Sequence, residues 1–326
     1  MPRKTVLITD VDWPDIRIEQ EILARAGIDA RLASNNDVET LVREGGDCDA
    51  LMVLFTPMPA ETLARFPKCK ALVRLGIGYN SVDMDAATKL GIRVCNIPDY
   101  CQEEVADHTV AMFLAGVRKI CMLDAQVKAG GWDMHVADPV PRLRDKVFGL
   151  WGCGGIGRLV GRRLLPFGLR VAAFDPYLAP ETQRAEGFEP CASLDELLAQ
   201  SDFLSLHMPL TPETRHIVNA AHLAAMKKGV YLVNTSRGGL LDEEALFDAL
   251  QAGHVAGAAL DVLNVEPPVG VPPLAALPSV TLTPHAAWNS EAALPELRTK
   301  ATENLVRFFA TGELRHWLNP LAGQAG

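Results

Sequence analysis

The sequence predicts an α/β protein built as two Rossmann-like, doubly wound parallel-sheet domains joined by two long crossover helices. Three observations carry this. Short apolar runs alternate with helical stretches along almost the whole chain, the pattern of parallel strands with helices on both faces. One glycine fingerprint, Gly152-x-Gly154-x-x-Gly157, opens only the second of two such series. Two long helical stretches, Gln102 to Lys128 and Glu291 to Phe309, stand where the chain would leave one series and return to it.

The bulk numbers set the class. At 326 residues the chain is long enough for two domains. Its 48% hydrophobic and 22% charged residues are ordinary for a globular protein, so no special class is needed. A formal charge of −9, with no cluster of Lys and Arg, argues against a nucleic-acid surface. No apolar run approaches a membrane span, and the N-terminal Met-Pro-Arg-Lys leads into a short strand rather than a signal-peptide core. Seven scattered cysteines without C-x-x-C fit reduced thiols in the cytoplasm, and no metal site is expected.

In order, Thr5–Thr9 reads as a strand, Ile16–Ala26 as a helix stopped by Gly27, and Ile28–Ala33 as a second strand. Asp49–Phe55 is a third strand, Pro59–Phe66 a helix and Ala71–Leu75 a fourth strand. After it, Arg74-Leu-Gly-Ile-Gly78 keeps the backbone bare where open α/β sheets bind ligands, though an ordinary glycine turn would look the same. Ala106, Val110, Phe113, Leu114 and Val117 give the 102–128 stretch a helical stripe, read as one helix. An irregular arm with Trp132 and several prolines follows it to Pro141.

The second series begins with the strand Val147–Trp151, then the glycine turn, a helix to Leu165 and the strand Arg170–Phe174 ending in Asp175. Strand, glycine turn, helix, strand and acid, in this order, is the context a dinucleotide site requires. Gly152 makes the tight turn, Gly154 lets backbone approach a pyrophosphate, and Gly157 lets helix pack on strand. Ser193-Leu-Asp-Glu196 is a capping box, and Phe203–Leu206, Val230–Val233, Val255–Leu260 and Val280–Leu282 are further strands. Asp242 caps a helix to Leu250.

Arg237, Asp261, Glu266 and His285 each follow one of these strands, and so share the sheet edge of the glycine loop. Taken singly each has a plain structural reading; their shared position is what points to chemistry. At this point the chain resembles the D-isomer-specific 2-hydroxyacid dehydrogenases over nearly its whole length. The resemblance rests on the glycine fingerprint, His207-x-Pro209-Leu-Thr-x-x-Thr214, Asn234-Thr-Ser-Arg-Gly-Gly-Leu-Leu-Asp242, Ala259-Leu-Asp-Val262 with Glu266-Pro267, and Thr283-Pro-His285. Cys95-Asn-Ile-Pro98, Asp175-Pro-Tyr-Leu178 and Pro284-His-Ala-Ala-Trp288 are most similar to the C-terminal-binding-protein branch.

The resemblance implies a substrate-binding, flavodoxin-like domain of residues 1–100 plus 292–326 and an NAD-binding domain of residues 101–291. It implies NAD(H) held by Gly152, Gly154, Gly155, Ile156, Gly157, Asp175, His207, Pro209, Thr214, Thr235 and Asp261. It assigns Arg237 to substrate binding, His285 to proton transfer and Glu266 to orienting the histidine. Arg74, Ile77 and Gly78 would hold the substrate carboxylate, and Trp288 either lines the substrate pocket or packs under the returning helix. The residue types suit the chemistry: a guanidinium fork matches a carboxylate, and imidazole carries a proton near neutral pH. The implied activity is hydride transfer between NAD(H) and a 2-oxo or D-2-hydroxy acid, by a homodimer. The second reading is a protein that senses NAD(H) and binds other proteins, with weak dehydrogenase activity. Gly155, Trp151 and Val53 depart from the family pattern, so one phosphate contact and the substrate preference of the closest branch need not transfer.

Overall fold

The computed structural model describes residues 3–319, and the chain divides into two compact units, Met1–Cys101 with Ser290–Gly326 and Gln102–Asn289. The first unit opens with β1 (Lys4–Ile8), α1 (Arg17–Arg25), β2 (Ile28–Leu32), α2 (Val38–Gly45), β3 (Ala50–Val53) and α3 (Ala60–Leu63). It continues with β4 (Ala71–Arg74), α4 (Met84–Lys89) and β5 (Arg93–Cys95). The second unit holds α5 (Gln102–Val117), α6 (Ile120–Lys128), β6 (Val147–Trp151), α7 (Gly155–Leu164), β7 (Arg170–Phe174), α8 (Pro180–Ala185) and β8 (Glu189–Pro190). Then come α9 (Leu194–Gln200), β9 (Phe203–Leu206), α10 (Ala220–Ala225), β10 (Val230–Asn234), α11 (Glu243–Gln251), β11 (Val255–Leu260) and β12 (Val280–Leu282). The chain returns to the first unit as α12 (Ala293–Thr311).

Each unit is one parallel sheet. The first runs β2-β1-β3-β4-β5 and the second β12-β11-β10-β9-β6-β7-β8. Central strands are buried on both faces, which is why they read as unbroken apolar runs. In the second unit alternate residues of β6 serve opposite faces. Phe148 and Leu150 join one core, Val147 and Trp151 the other. Strand order reverses between β6 and its neighbours β7 and β9, so the turn after β6 is the switch point at which such sheets bind ligands. Short side chains start the helices: Asp37, Asp83, Ser193, Asn219 and Asp242 each accept a backbone N–H of the first turn.

The structure departs from the sequence expectation in several places. The 102–128 stretch is two helices, because Lys119 turns left-handed at φ 57° and breaks the hydrogen-bond ladder. Each long helix begins where the chain passes from one unit to the other, at Gln102 and just after Ser290. Helix α5 lies in the second unit, where Phe113 packs edge-on against Phe148 and Phe203, both at 4.9 Å between ring centres. Helix α12 lies in the first, where Arg298 forms a buried two-point ion pair with Glu19 of α1 at 2.8 and 2.7 Å. The third strand stops at Val53 because the Asp10 carboxylate takes the N–H groups of Leu54, Phe55 and Thr56. Helices α2, α4, α8 and α10 and strands β5 and β8 are additional to the sequence reading. Among the described residues no helix is long and apolar enough to cross a membrane.

Candidate active site

The glycine turn is a cradle shaped by what a side chain would strike. Gly152 has φ +95°, and a Cβ there would lie 2.3 Å from the His207 carbonyl oxygen. At Gly157 a Cβ would lie 2.6 Å from the Gly152 carbonyl oxygen, so helix and turn touch through bare backbone. At Gly154, by contrast, a Cβ would meet nothing within 4 Å. Gly152 and Gly157 shape the turn, whereas Gly154 leaves backbone facing open space. Helix α7 then starts at Gly155 with no side chain capping its first N–H groups. Uncapped N–H groups beside bare backbone suit an anion such as a pyrophosphate. A Cβ at Gly155 would crowd the Gln102 amide at 2.5 Å, and Ile156 packs on the core beneath.

Asp175 ends β7 beside this turn. Its Oδ2 accepts from the Cys153 N–H at 2.8 Å and its Oδ1 from the Tyr177 N–H at 2.9 Å. The carboxylate is thereby fixed, with lone pairs left for ribose hydroxyls. His207 closes β9 with both ring nitrogens buried and unpartnered among the described residues. Burial pushes its imidazole down to about 4, so the ring is neutral at physiological pH. Orphaned buried nitrogens in a native site call for a partner. Thr214 donates to the Pro209 carbonyl at 2.8 Å and accepts from the Thr211 N–H at 2.7 Å, holding the loop beyond His207. Thr235 is buried, its hydroxyl 2.7 Å from that of Thr109. Bare backbone, an open helix end, a placed carboxylate and a neutral buried imidazole together fit NAD(H).

On the same edge lie Arg237, Glu266 and His285. His285 Nδ1 is 2.6 Å from Glu266 Oε2, and Glu266 Oε1 accepts from the Leu263 N–H at 2.8 Å. Burial works to raise the Glu266 carboxyl. The His285 bond and charge, the Leu263 N–H and the nearby Arg237 charge outweigh it and hold the group below its ordinary 4.5. Arg237 stands after β10 on a turn that Asn234 and Ser236 tie down. Asn234 accepts from the Ser236 N–H at 3.0 Å and donates to the Arg237 carbonyl at 2.8 Å, while Ser236 donates to the Leu206 carbonyl at 2.6 Å. Structure thus brings Arg237, Glu266 and His285 together. Asp261 is buried, and its carboxylate is turned onto the 283–287 turn that carries His285.

Arg74, Ile77 and Gly78 belong to the first unit, at the carboxyl end of β4. There the Arg74 guanidinium lies over Gly76, whose φ is +137°, at a spot where any Cβ would collide with it. Asn96 donates to the Ile77 carbonyl at 2.5 Å and the Ile97 N–H to the Gly76 carbonyl at 3.0 Å, so the loop has a fixed shape. Trp288 is half-buried in the turn after His285. Sequence reasoning quoted Asn96 and Thr283 within motifs without giving them a role of their own, and passed over His108 and Phe55. The last is 61% exposed on the loop that Asp10 holds beyond β3, where an isolated aromatic in a strand-like run gave no signal. Among the described residues no cluster of three or more His, Cys, Asp or Glu side chains could hold a metal.

Known proteins resemble the chain in sequence and fold. Residues 110–287, more than half of the chain, match the family model described as D-isomer specific 2-hydroxyacid dehydrogenase, NAD binding domain. D-3-phosphoglycerate dehydrogenase of Mycobacterium leprae is 38% identical over 316 residues, 96% of this chain and 58% of that protein. The chain therefore spans little more than half the length of this curated relative. The D-lactate dehydrogenase of Aquifex aeolicus, solved with NAD and lactic acid, superposes with a TM-score of 0.85 at 29% identity, over 95% of this chain and 96% of that one. The NADPH-dependent glyoxylate/hydroxypyruvate reductase of Sinorhizobium meliloti, solved with NADP and malonate, gives 0.85 at 29% identity over 99% of both chains. All three are named for small hydroxy or oxo acids, so they carry the family, while the C-terminal-binding-protein branch rests on the motifs alone. The chain belongs to the D-isomer-specific 2-hydroxyacid dehydrogenase family.

Proposed function

We propose that the protein is an NAD(H)-dependent reductase of a 2-oxo acid, interconverting it with the D-2-hydroxy acid. The observation that carries this is the 2.6 Å His285–Glu266 pair beside Arg237, on the sheet edge of the glycine cradle. NADH, when bound, supplies the hydride to the carbonyl carbon. The chain's own residues do the rest. Glu266 occupies Nδ1 of His285, which leaves Nε2 to give its proton to the carbonyl oxygen. Arg237 presents a fork to the carboxylate and the carbonyl oxygen.

Among these relatives the substrates are phosphoglycerate, lactate and glyoxylate or hydroxypyruvate, so the class is a short 2-oxo acid. Both NAD and NADP occur among them. The preference for NAD(H) rests on Asp175, fixed at the end of β7 by the N–H groups of Cys153 and Tyr177. Seven free thiols fit the cytoplasm. The working state is a homodimer. The second reading, a sensor that binds other proteins, has no residue of its own here, whereas the acid–base pair is intact.

Following NADH absorbance with glyoxylate, hydroxypyruvate, pyruvate and phenylpyruvate, and NAD reduction with D-3-phosphoglycerate, tests the reading directly. Turnover of at least one substrate that is lost in His285→Ala supports it. Tight NADH binding without turnover of any would favour the sensor.

A further inference from the structure

His285 sits on a turn that is imposed from beneath. Its φ is 52°, in the left-handed region that side-chain-bearing residues seldom occupy unless their surroundings hold them there. One residue supplies most of that hold. Asp261 is 1% exposed. Its Oδ1 accepts from the Ala286 N–H at 2.8 Å and from the Thr283 hydroxyl at 2.5 Å, and its Oδ2 accepts from the Ala287 N–H at 3.0 Å. Its carbonyl accepts from the His285 N–H at 2.8 Å. Asp261 therefore grips the chain before, at and after the histidine.

A buried carboxylate needs compensation. Among the described residues the basic side chain within 4.0 Å of Asp261 is His108 of α5, with Nε2 3.6 Å from Oδ1. The same Nε2 lies 3.1 Å from the Thr283 hydroxyl oxygen. The direction of these bonds follows from counting protons. Thr283 has one hydroxyl proton, with Asp261 Oδ1 at 2.5 Å and the Met112 sulfur at 3.4 Å as its acceptors. A carboxylate outcompetes a thioether, so the proton goes to Asp261. The hydroxyl oxygen must then accept, and Nε2 of His108 must carry the hydrogen. The result is a directed chain, His108 to Thr283 to Asp261, ending on the turn of His285.

We infer that His108 is a positioning residue for His285, acting through Thr283 and Asp261. The kinetic consequence rests on the proposed reduction with His285 as proton carrier; the geometric one does not. Loosening the turn moves the imidazole away from its productive place, and a misplacement of about 1 Å can cost on the order of 10²-fold in rate.

Three variants test this: His108→Leu, which removes the donor, His108→Gln, which offers an amide N–H at similar reach, and Thr283→Val, which cuts the chain in the middle. In NADH-dependent reduction, kcat is expected to fall at least about tenfold in His108→Leu and Thr283→Val. His108→Gln should recover most of it. A second readout needs no turnover. The side-chain nitrogen shifts of His285, read through its carbon-bound ring protons by NMR and assigned by their loss in His285→Asn, report the Nδ1 bond to Glu266. They should match the wild type in His108→Gln and differ in the other two. Unchanged shifts in both His108→Leu and Thr283→Val would overturn the inference. Equal losses in His108→Gln and His108→Leu would overturn it too, since packing of the ring would then be what matters. A wild type inert towards every oxo acid would sink the functional reading, while the NMR comparison would still decide the role of His108.

Discussion

Glu266 and His285 are tied by one short bond, and that bond has a pH signature. The Glu266 carboxyl is held below its ordinary 4.5, with burial opposing and the His285 bond leading the terms that win. A depressed folded value means that its contribution is present at neutral pH and is lost as pH falls through that value. As pH falls through the depressed Glu266 value, the carboxylate that orients His285 is lost, so kcat/KM should fall on the acid side. Glu266→Gln keeps the shape without the charge, so activity at neutral pH should drop and this acid limb should vanish. An acid limb that persists in Glu266→Gln would show that another group sets it. His285→Ala should lose roughly 10²–10⁴-fold in kcat, as positioned acid–base catalysis usually provides, with NADH binding retained by fluorescence titration. Asp175 makes a separate prediction. A 2′-phosphate would meet its fixed carboxylate, so kcat/KM with NADH should exceed that with NADPH, and Asp175→Ala should narrow the ratio. Equal or better use of NADPH by the wild type would refute the assignment.

The turn between β6 and α7 separates glycines that shape the fold from one whose backbone faces open space. Gly152→Ala must force φ +95° and a contact of 2.3 Å to backbone, so it should lower Tm markedly and weaken NADH binding with it. Gly154→Ala has room and an ordinary φ of −71°, so Tm should hold while the Kd for NADH rises. Equal Tm losses in the two would mean that Gly154 is structural. This element was legible in the sequence because its signal is local: a buried strand, three glycines and an acid within 30 residues. The positions proposed for catalysis were legible for a related reason, since Arg237, Glu266 and His285 each stand just past a strand. What escaped was short or distant. Strand β5 has three residues, too few for a period to show, and the break between α5 and α6 falls at Lys119 with neither glycine nor proline to mark it. The link from His108 to Thr283 spans 175 positions, and no pattern along the chain announces such a pair.

At the scale of the molecule, the second unit leaves apolar surface uncovered in one continuous piece of chain. Helix α6 has no buried residue, and Ile120 and Val127 on it stand exposed. The arm beyond it carries Trp132, 90% exposed, with Met134 and Val136 also open. Scattered exposed apolar residues need no explanation, but five within 17 residues form a patch of the kind that marks an interface. The cores of the second unit do not account for them, because α5 and the sheet strands already fill both faces. A second copy of the chain is the occupant that fits the proposed dimer, with the same patch contributed by each subunit across a two-fold axis. A stable interface of this kind buries about 1,600 Å² in total, more than one side chain can supply, so helix and arm must act together. Light scattering at micromolar concentration should therefore give twice the chain mass. Replacing Ile120 and Trp132 together by Asp and Ser should shift the protein towards monomer without unfolding it, because neither side chain contributes to a core. A wild type of single chain mass, or a double variant that stays dimeric, would place the interface elsewhere or remove it.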